Sequence, residues 1–227
     1  MKKILLKDYA EHFVDIYHDL QKKFPKSVLD QAFVCKFFAN EYIVRFDENM
    51  PYLFFVIDGR AKIYRVHENG KRTLIQFLKN DDLIGELSLI GVEENLKDVV
   101  AINDCTCLAM TLSTSKDLLL NNNVFLYHLS KYLGDKLLKR TNHYTAMQDY
   151  EFKNRLAQYI LQLENNGCFG EKHTETAEYL GVSYRHLMHT LNQFQQYGLL
   201  KKEGRQYFIV NKGELEKLSS NRMHEMI

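Results

Sequence analysis

The sequence predicts an α+β protein: an N-terminal antiparallel β jelly roll, a long helix carrying an apolar stripe, and a C-terminal winged helix-turn-helix. Three stretches predict it. From Tyr42 to Leu112, short β-prone runs are spaced by turn residues, which suits an antiparallel roll. From Asn123 to Ala146, apolar residues recur at intervals of three and four, the period of one helix face. From Thr174 to Val210, two helical patterns meet across Gly181, and two β-prone runs follow around Lys201-Lys-Glu-Gly-Arg205.

Residues 1–37 read as N-terminal helices. Leu6, Ala10, Phe13, Tyr17 and Leu20 fall at helical spacing, an amphipathic helix that can pack on its own protomer or on a partner. Pro25-Lys-Ser marks a break before a second short apolar helix ending near Phe38. Residues 38–122 form the roll, with strands at Tyr42–Phe46, Tyr52–Ile57, Ala61–Val66, Thr73–Leu78, Val99–Ile102 and Thr106–Leu112. Asn69-Gly70 is its best hairpin signal.

Residues 123–147 form the long helix, striped by Leu126, Leu129, Leu133, Leu137, Arg140 and Tyr144. Such a seam can pack on the roll or pair with a second copy, and its heptad-like repeat favours a parallel dimer. Residues 148–227 form the winged helix-turn-helix. Its first helix, Phe152 to Leu163, turns Leu156, Tyr159, Ile160 and Leu163 inward. The next runs from Thr174, whose hydroxyl can cap it, to Leu180, with Glu175 in the first turn where the helix dipole favours an acid. Gly181 ends it, Val182 fills the corner and Ser183 caps the following helix. There Leu187, Leu191 and Phe194 form the apolar face, and Tyr184, Arg185, Met188, His189 and Asn192 lie on the others.

Composition narrows the function. No apolar run reaches the ~18 to 20 residues of a membrane span, and Met1-Lys-Lys-Ile-Leu-Leu-Lys-Asp lacks a signal peptide's apolar segment, so a cytoplasmic protein with no membrane partner is expected. The four cysteines are too scattered for a disulfide framework. Net charge is +1, and from Tyr150 to Ile227 ten Lys and Arg stand against nine Asp and Glu. Phosphate contact depends on local charge, however, and the second helix with its wing carries Arg185, His186, His189, Lys201, Lys202 and Arg205 against Glu203 alone.

Glu171-Lys-His-Thr174 and Ala177-Glu-Tyr-Leu-Gly-Val-Ser-Tyr-Arg-His-Leu187 resemble the helix-turn-helix of CRP/FNR-type transcription regulators, and the likeness is greatest to the YeiL subgroup. It extends through Asn40-Glu-Tyr-Ile-Val44 and Gly85-Glu-Leu-Ser-Leu89, and so covers most of the chain beyond about residue 35. The resemblance implies a roll like a cyclic-nucleotide-binding domain acting as sensor, a homodimer through the long helix, and double-stranded DNA as partner, read at palindromic half-sites. It also implies RNA polymerase as a partner. Recognition helices of the family's best-known members begin with Ser followed by Arg-Glu, or Glu-x-x-Ser-Arg. Here Ser183-Tyr184-Arg185-His186 and Met188-His189 stand there, without a carboxylate to accept from cytosine N4. Arg185 is the expected base reader, through a fork to guanine O6 and N7, with His189 and Tyr184 beside it; His186, Lys201 and Lys202 are the expected phosphate contacts. Thr174, Ser183, Met188 and Arg205 complete the candidate surface.

Gly85, Glu86, Leu87 and Ser88 resemble the phosphate-binding cassette of cyclic-nucleotide sensors, in which the Glu accepts from the ribose hydroxyl and a later Arg followed by Ser or Thr holds the phosphate. Lys97-Asp98 stands at that later position. Lys lacks the bidentate fork of Arg. A carboxylate about 4 Å from a phosphate costs roughly 4 kcal/mol at an effective dielectric near 20, about a thousandfold in affinity. Cyclic AMP is therefore not expected as effector, and the sequence names no other.

The oxygen-sensing branch of the family has an N-terminal cysteine cluster, whereas Cys35 stands alone here, so no iron-sulfur cluster is expected. Cys105 and Cys107 share one strand face, suiting a buried apolar pair or a soft metal or redox site. A metal-using cupin enzyme would need several histidines in the roll; His67 is the only one between residues 39 and 112, so neither a metal site nor an enzyme is expected. The alternative class is a ligand-binding or protein-interaction module that never meets DNA.

Overall fold

Alternating apolar residues and well-placed turns build two antiparallel sheets in the N-terminal part of the computed structural model, which describes residues 2–6, 14–68, 70, 72–93 and 97–220. In chain order the elements are β1 (Lys2–Leu5), α1 (Val14–Gln21), α2 (Lys26–Leu29), β2 (Phe33–Phe37), β3 (Tyr42–Val44), β4 (Tyr52–Asp58), β5 (Ala61–Val66), β6 (Arg72–Leu78) and β7 (Leu83–Ile84). They continue with α3 (Glu86–Leu89), β8 (Asp98–Ala101), β9 (Cys105–Thr111), α4 (Leu112–Leu120) and the long α5 (Asn123–Asp149). The C-terminal part holds α6 (Phe152–Leu163), β10 (Cys168–Phe169), α7 (His173–Tyr179), α8 (Tyr184–Gln196), β11 (Leu200–Glu203), β12 (Gln206–Ile209) and α9 (Lys212–Ser220). The chain divides into two compact units, Met1–Lys136 and Leu137–Ile227, with the boundary inside α5.

One sheet of the first unit runs β1-β2-β9-β4-β7 and the other β3-β8-β5-β6. The five-stranded sheet is covered on both faces. Leu53 and Phe55 of β4 join Val34, Leu108 and Met110 in a layer closed by Leu20, Phe24, Leu119, Phe125 and Leu129 of the surrounding helices and loops. Phe54 and Val56 point the other way, with Cys35, Cys107 and Ala109, onto Ile43, Ile63, Val99 and Ala101 of the second sheet. Two buried faces explain why Leu53-Phe-Phe-Val56 is apolar without alternation.

The N-terminal segment departs from expectation. Phe33–Phe37 is a strand rather than the end of a second helix; only one helical turn, Lys26–Leu29, follows Pro25. A short apolar run fits either period, and the partner decides: Phe33 to Phe37 pairs with Ala109 to Cys105 of β9, and Phe33 to Lys36 pairs on the other edge with Leu5 to Lys2. Leu6, expected in the first helix, follows β1 and is buried, while Tyr17 and Leu20 lie on α1. Ala10 and Phe13 lie outside the described residues, as does Asn69. The β5–β6 pairing around it runs Val66↔Arg72, and Gly70 donates its N–H to His67 O at 2.8 Å with φ +75°.

Leu129, 4 % exposed, and Leu133, half-buried, turn onto the roll of their own protomer. Both thus find apolar neighbours within their own unit, among them Leu83 and Leu89. Leu137 and Tyr144 are 65 % and 64 % exposed, and Leu126 sits at 36 %.

In the second unit, α6 buries Leu156, Tyr159, Ile160 and Leu163, and α8 buries Leu187, Leu191 and Phe194. The wing is the sheet β10-β12-β11, in which β12 is hydrogen-bonded on both sides. β10 carries only two residues, too short to leave a period in the sequence.

Candidate functional site

Recognition by a helix needs a rigid support and an outward face. Ser183 caps α8, accepting the His186 N–H at 3.2 Å through its hydroxyl. Gly181, at φ +68°, ends α7, and Val182 donates back to Ala177 O at 2.9 Å. Arg155 of α6 donates to Leu180 O at 2.7 Å, satisfying a carbonyl at the end of α7. α7 begins at His173, one residue earlier than expected. Thr174 is therefore inside the helix and not its cap; the cap position falls to Lys172, whose carbonyl accepts from Thr176 N–H at 2.9 Å. The strand before it ends at Phe169, paired with Tyr207, and three residues lead from there into the helix.

The outward face holds Tyr184, Arg185, His186 and His189, with Met188 beside them on the helix; Thr174 and Ser183 flank it. Tyr184, Arg185 and His186 are exposed, and Lys201, Lys202 and Arg205 are exposed on the wing. Among the described residues, Arg185, His189, Lys202 and Arg205 have no acidic partner. Lys201 pairs with Glu203 at 2.8 Å, both well exposed, a contact that holds little energy against a phosphate. The His186 ring packs against Phe152, tilted at 53° with centroids 4.6 Å apart, so it braces α8 against α6. That role is invisible in the sequence, because Phe152 lies far away along the chain. Near Tyr184, His173 lies 5.6 Å from the ring of buried Tyr207. Burial and then the Lys202 charge hold the His173 imidazole below its usual value.

The cassette is built differently. Gly85 takes φ +92° at the start of α3, and a Cβ there would stand 3.1 Å from Tyr52 O. Glu86, next to it, is buried, and its carboxylate accepts from Lys136 Nζ at 2.6 Å. Half-buried Ser88 donates to Glu93 at 3.0 Å, and the other Glu93 oxygen pairs with Lys97. Leu87 is half-buried. Asp98 is buried, where it accepts from the Phe46 N–H at 3.1 Å and from Arg72 at 3.5 Å; Arg72 also donates to Tyr42 OH at 2.7 Å. Thus Lys97 is joined to Ser88 through Glu93, while Asp98 is turned to the β3 end of the roll. Two residues of this network were not legible as site residues. Glu93 leaves a weak signal, four residues before Lys97; Lys136 leaves a better one, a cation in line with Leu129 and Leu133.

Three of the four thiols lie inside. Cys35, Cys105 and Cys107 are buried between the sheets, Cys35 directly across from Cys107. Burial pushes the Cys105 thiol up to about 11 and Cys107 further in the same direction, so neither forms the reactive thiolate at neutral pH. Among the described residues no three His, Cys, Asp or Glu side chains are grouped to hold a metal, and no helix is long and apolar enough to cross a membrane.

Comparison with known proteins agrees with this arrangement. Residues 34–122 match the cyclic nucleotide-binding domain family, and residues 154–218 the Crp-like helix-turn-helix domain family. The chain is 39% identical over 183 residues to the regulatory protein YeiL of Escherichia coli O157:H7, covering 81% of this chain and 84% of that one. It is 24% identical over 152 residues to the cyclic AMP receptor protein of Thermus thermophilus, covering 66% of this chain and 70% of the relative. In fold it is similar to a protein of Eubacterium rectale assigned to the CRP/FNR family of transcriptional regulators, with a TM-score of 0.74 at 17% identity, covering 91% of this chain and 98% of that one. A CRP/FNR-family transcriptional regulator from Thermus thermophilus gives 0.70 at 18%, covering 83% and 99%. A sensor-type roll, a long helix and a capped, braced helix-turn-helix in one chain, together with the likeness to YeiL, show that it belongs to the CRP/FNR family of transcription regulators, with a DNA-binding helix-turn-helix, and not to an enzyme family.

Proposed function

We propose that the protein is a cytoplasmic, homodimeric, sequence-specific regulator that reads a palindromic duplex through α8, and that cyclic AMP is not its effector. One observation carries the DNA reading: Arg185, His189, Lys202 and Arg205 lie on the outer side of α8 and the wing without acidic partners among the described residues, while the opposite face of α8 is buried. Phosphates are the counter-charge such a surface fits. Arg185 is the main base reader, His189 its neighbour, and Lys201 and Lys202 the phosphate contacts. RNA polymerase, implied by the family, is the partner once DNA is bound.

The cassette supports the second half of the reading. Its carboxylate and its cation are already engaged within the chain, Glu86 with Lys136 and Lys97 with Glu93. Calorimetry with millimolar cyclic AMP is expected to give no saturable heat; micromolar binding would overturn it.

For the dimer, the exposed residues of α5 outline a revised seam. Tyr127, Gly134 and Thr141 recur at seven residues, as do Ser130, Leu137 and Tyr144, and all six are exposed. Large residues alternating with small ones suit a close parallel helix pair. The testing experiment is selection of bound sequences from random duplex by the purified full-length protein, followed by anisotropy titrations. Arg185→Ala is expected to cost about 1 to 3 kcal/mol on the selected palindrome and far less on random duplex. An equal loss on both, with a shallower salt slope, makes Arg185 a phosphate contact; no salt-dependent binding to any duplex removes the DNA reading.

A further inference from the structure

Glu86 occupies the position where the likeness to cyclic-nucleotide sensors places the acceptor for a ribose hydroxyl, and in this protein that acceptor is taken. The Glu86 side chain is 4% exposed and the Lys136 side chain 10%, with Nζ and Oε1 2.6 Å apart. The ammonium also lies 5.5 Å from the centre of the Tyr132 ring, and Tyr132 donates its hydroxyl to Leu83 O at 3.2 Å. Two side chains, one turn apart on α5, therefore grip the cassette from Leu83 to Glu86. The positive φ of Gly85 and the nearness of Tyr52 O fix the backbone from which Glu86 projects.

A neutral hydroxyl offers such a carboxylate less than a charged ammonium does, and to take the place at Oε1 it must first expel Lys136. Expulsion leaves an ammonium without its counter-ion in a nearly closed site. We infer that Lys136 is a resident occupant of the ligand position at Glu86, so that α5 is held by the chain itself and the protein binds its DNA site without a small molecule. Lys136 is a positioning residue: it acts through α5, the continuous helix Asn123–Asp149. The inference rests on the DNA-binding reading above and deepens it.

The test uses the full-length protein, dialysed free of nucleotide, as wild type, Lys136→Met, Lys136→Gln and the reversed pair Glu86→Lys with Lys136→Glu. Two quantities are measured: affinity for the selected palindrome, and amide hydrogen exchange along residues 83–89 and 123–149, with residues 152–220 as the control for folding. Wild type is expected to bind without any addition. Lys136→Met is expected to lose roughly tenfold or more in affinity, with faster exchange in both segments and unchanged exchange in the control. The reversed pair is expected to recover most of both, which mere loss of bulk at position 136 does not explain. Where Lys136→Met fails to fold, Lys136→Gln keeps a donor without the charge and is read in the same way. Wild-type affinity and exchange in a folded Lys136 variant would overturn the inference. So would a wild type that binds the palindrome only after addition of a protein-free cell extract. If wild type binds no duplex at all, the DNA reading fails, and exchange alone decides the role of Lys136.

Discussion

The cassette and the recognition surface carry similar residues and use them in opposite ways. In the cassette, Lys97 meets Glu93, Lys136 meets Glu86 and Arg72 meets Asp98, with the acids buried or nearly so. On α8 and the wing, Arg185, His189, Lys202 and Arg205 are without acids among the described residues. A charge inside must find its counter-ion in the chain, since desolvation otherwise makes it intolerable. A charge outside is left for a partner that brings its own. A family likeness in residue type therefore does not carry over into likeness of role: the cassette Glu is present, yet its Oε1 accepts from a lysine of the protein's own helix.

If the inner charges are structural, breaking them costs folding energy and breaking the outer ones does not. Lys136→Met strands a buried carboxylate and is expected to lower stability by about 3 to 5 kcal/mol, read by urea denaturation of the full chain. A loss under ~1 kcal/mol would mean that Glu86 escapes to water, and the contrast would weaken. Next comes the helix that leaves the roll. Leu137→Asp with Tyr144→Asp is expected to give a folded monomer by sedimentation, with a loss of roughly a hundredfold or more in affinity for the palindrome. Leu133→Asp, by contrast, buries charge against the protomer's own core and is expected to unfold the roll. A monomer from Leu133→Asp and an unchanged dimer from the exposed pair would put the seam where the sequence first suggested.

On the outer surface, Lys202→Ala and Arg205→Ala are each expected to reduce the salt slope of DNA binding by about 1, uniformly across sequences, with stability unchanged within ~0.5 kcal/mol. Thermal denaturation and anisotropy against salt check both halves. The smallest effect belongs to His173, a group of the recognition unit partly drawn inside. Its folded value lies below the ordinary 6.5, so the unfolded chain binds a proton that the folded chain resists. The stability it contributes is present above about pH 6.5 and is lost as the pH falls toward its folded value. His173→Phe is expected to lessen the drop in thermal midpoint between about pH 7.5 and 5.5; an unchanged drop would assign it to other histidines.

Legibility in the sequence followed distance along the chain. Ala61–Val66, Tyr52–Asp58 and the Ser183-capped α8 were readable because their signals, alternation, turns and caps, are local. Phe33–Phe37 was not, since what makes it a strand is β9, which begins only at Cys105. The stripe on α5 was readable but its division was not, because a leucine packed on the roll, such as Leu129, and an exposed one, such as Leu137, have the same spacing. The stripe did not single out Lys136, whose meaning comes from Glu86, again far off in sequence. At the DNA surface, the composition of α8 was legible, whereas the bracing of His186 by Phe152 depended on how two helices cross.

The two-sided pairing of β12 sets the reach of the wing. Between β10 and β11, and anchored by wholly buried Tyr207, the strand cannot sway as an isolated hairpin would, so the tip at Gly204-Arg205 stands at a fixed height. Each residue added to both arms would raise that tip by ~3.3 Å, close to the ~3.4 Å rise of one nucleotide along a DNA strand. On the proposed DNA reading the wing would work as a graduated gauge: lengthening it should move the protected phosphate stepwise along the backbone in an ethylation-interference footprint, while the bases read by α8 stay the same.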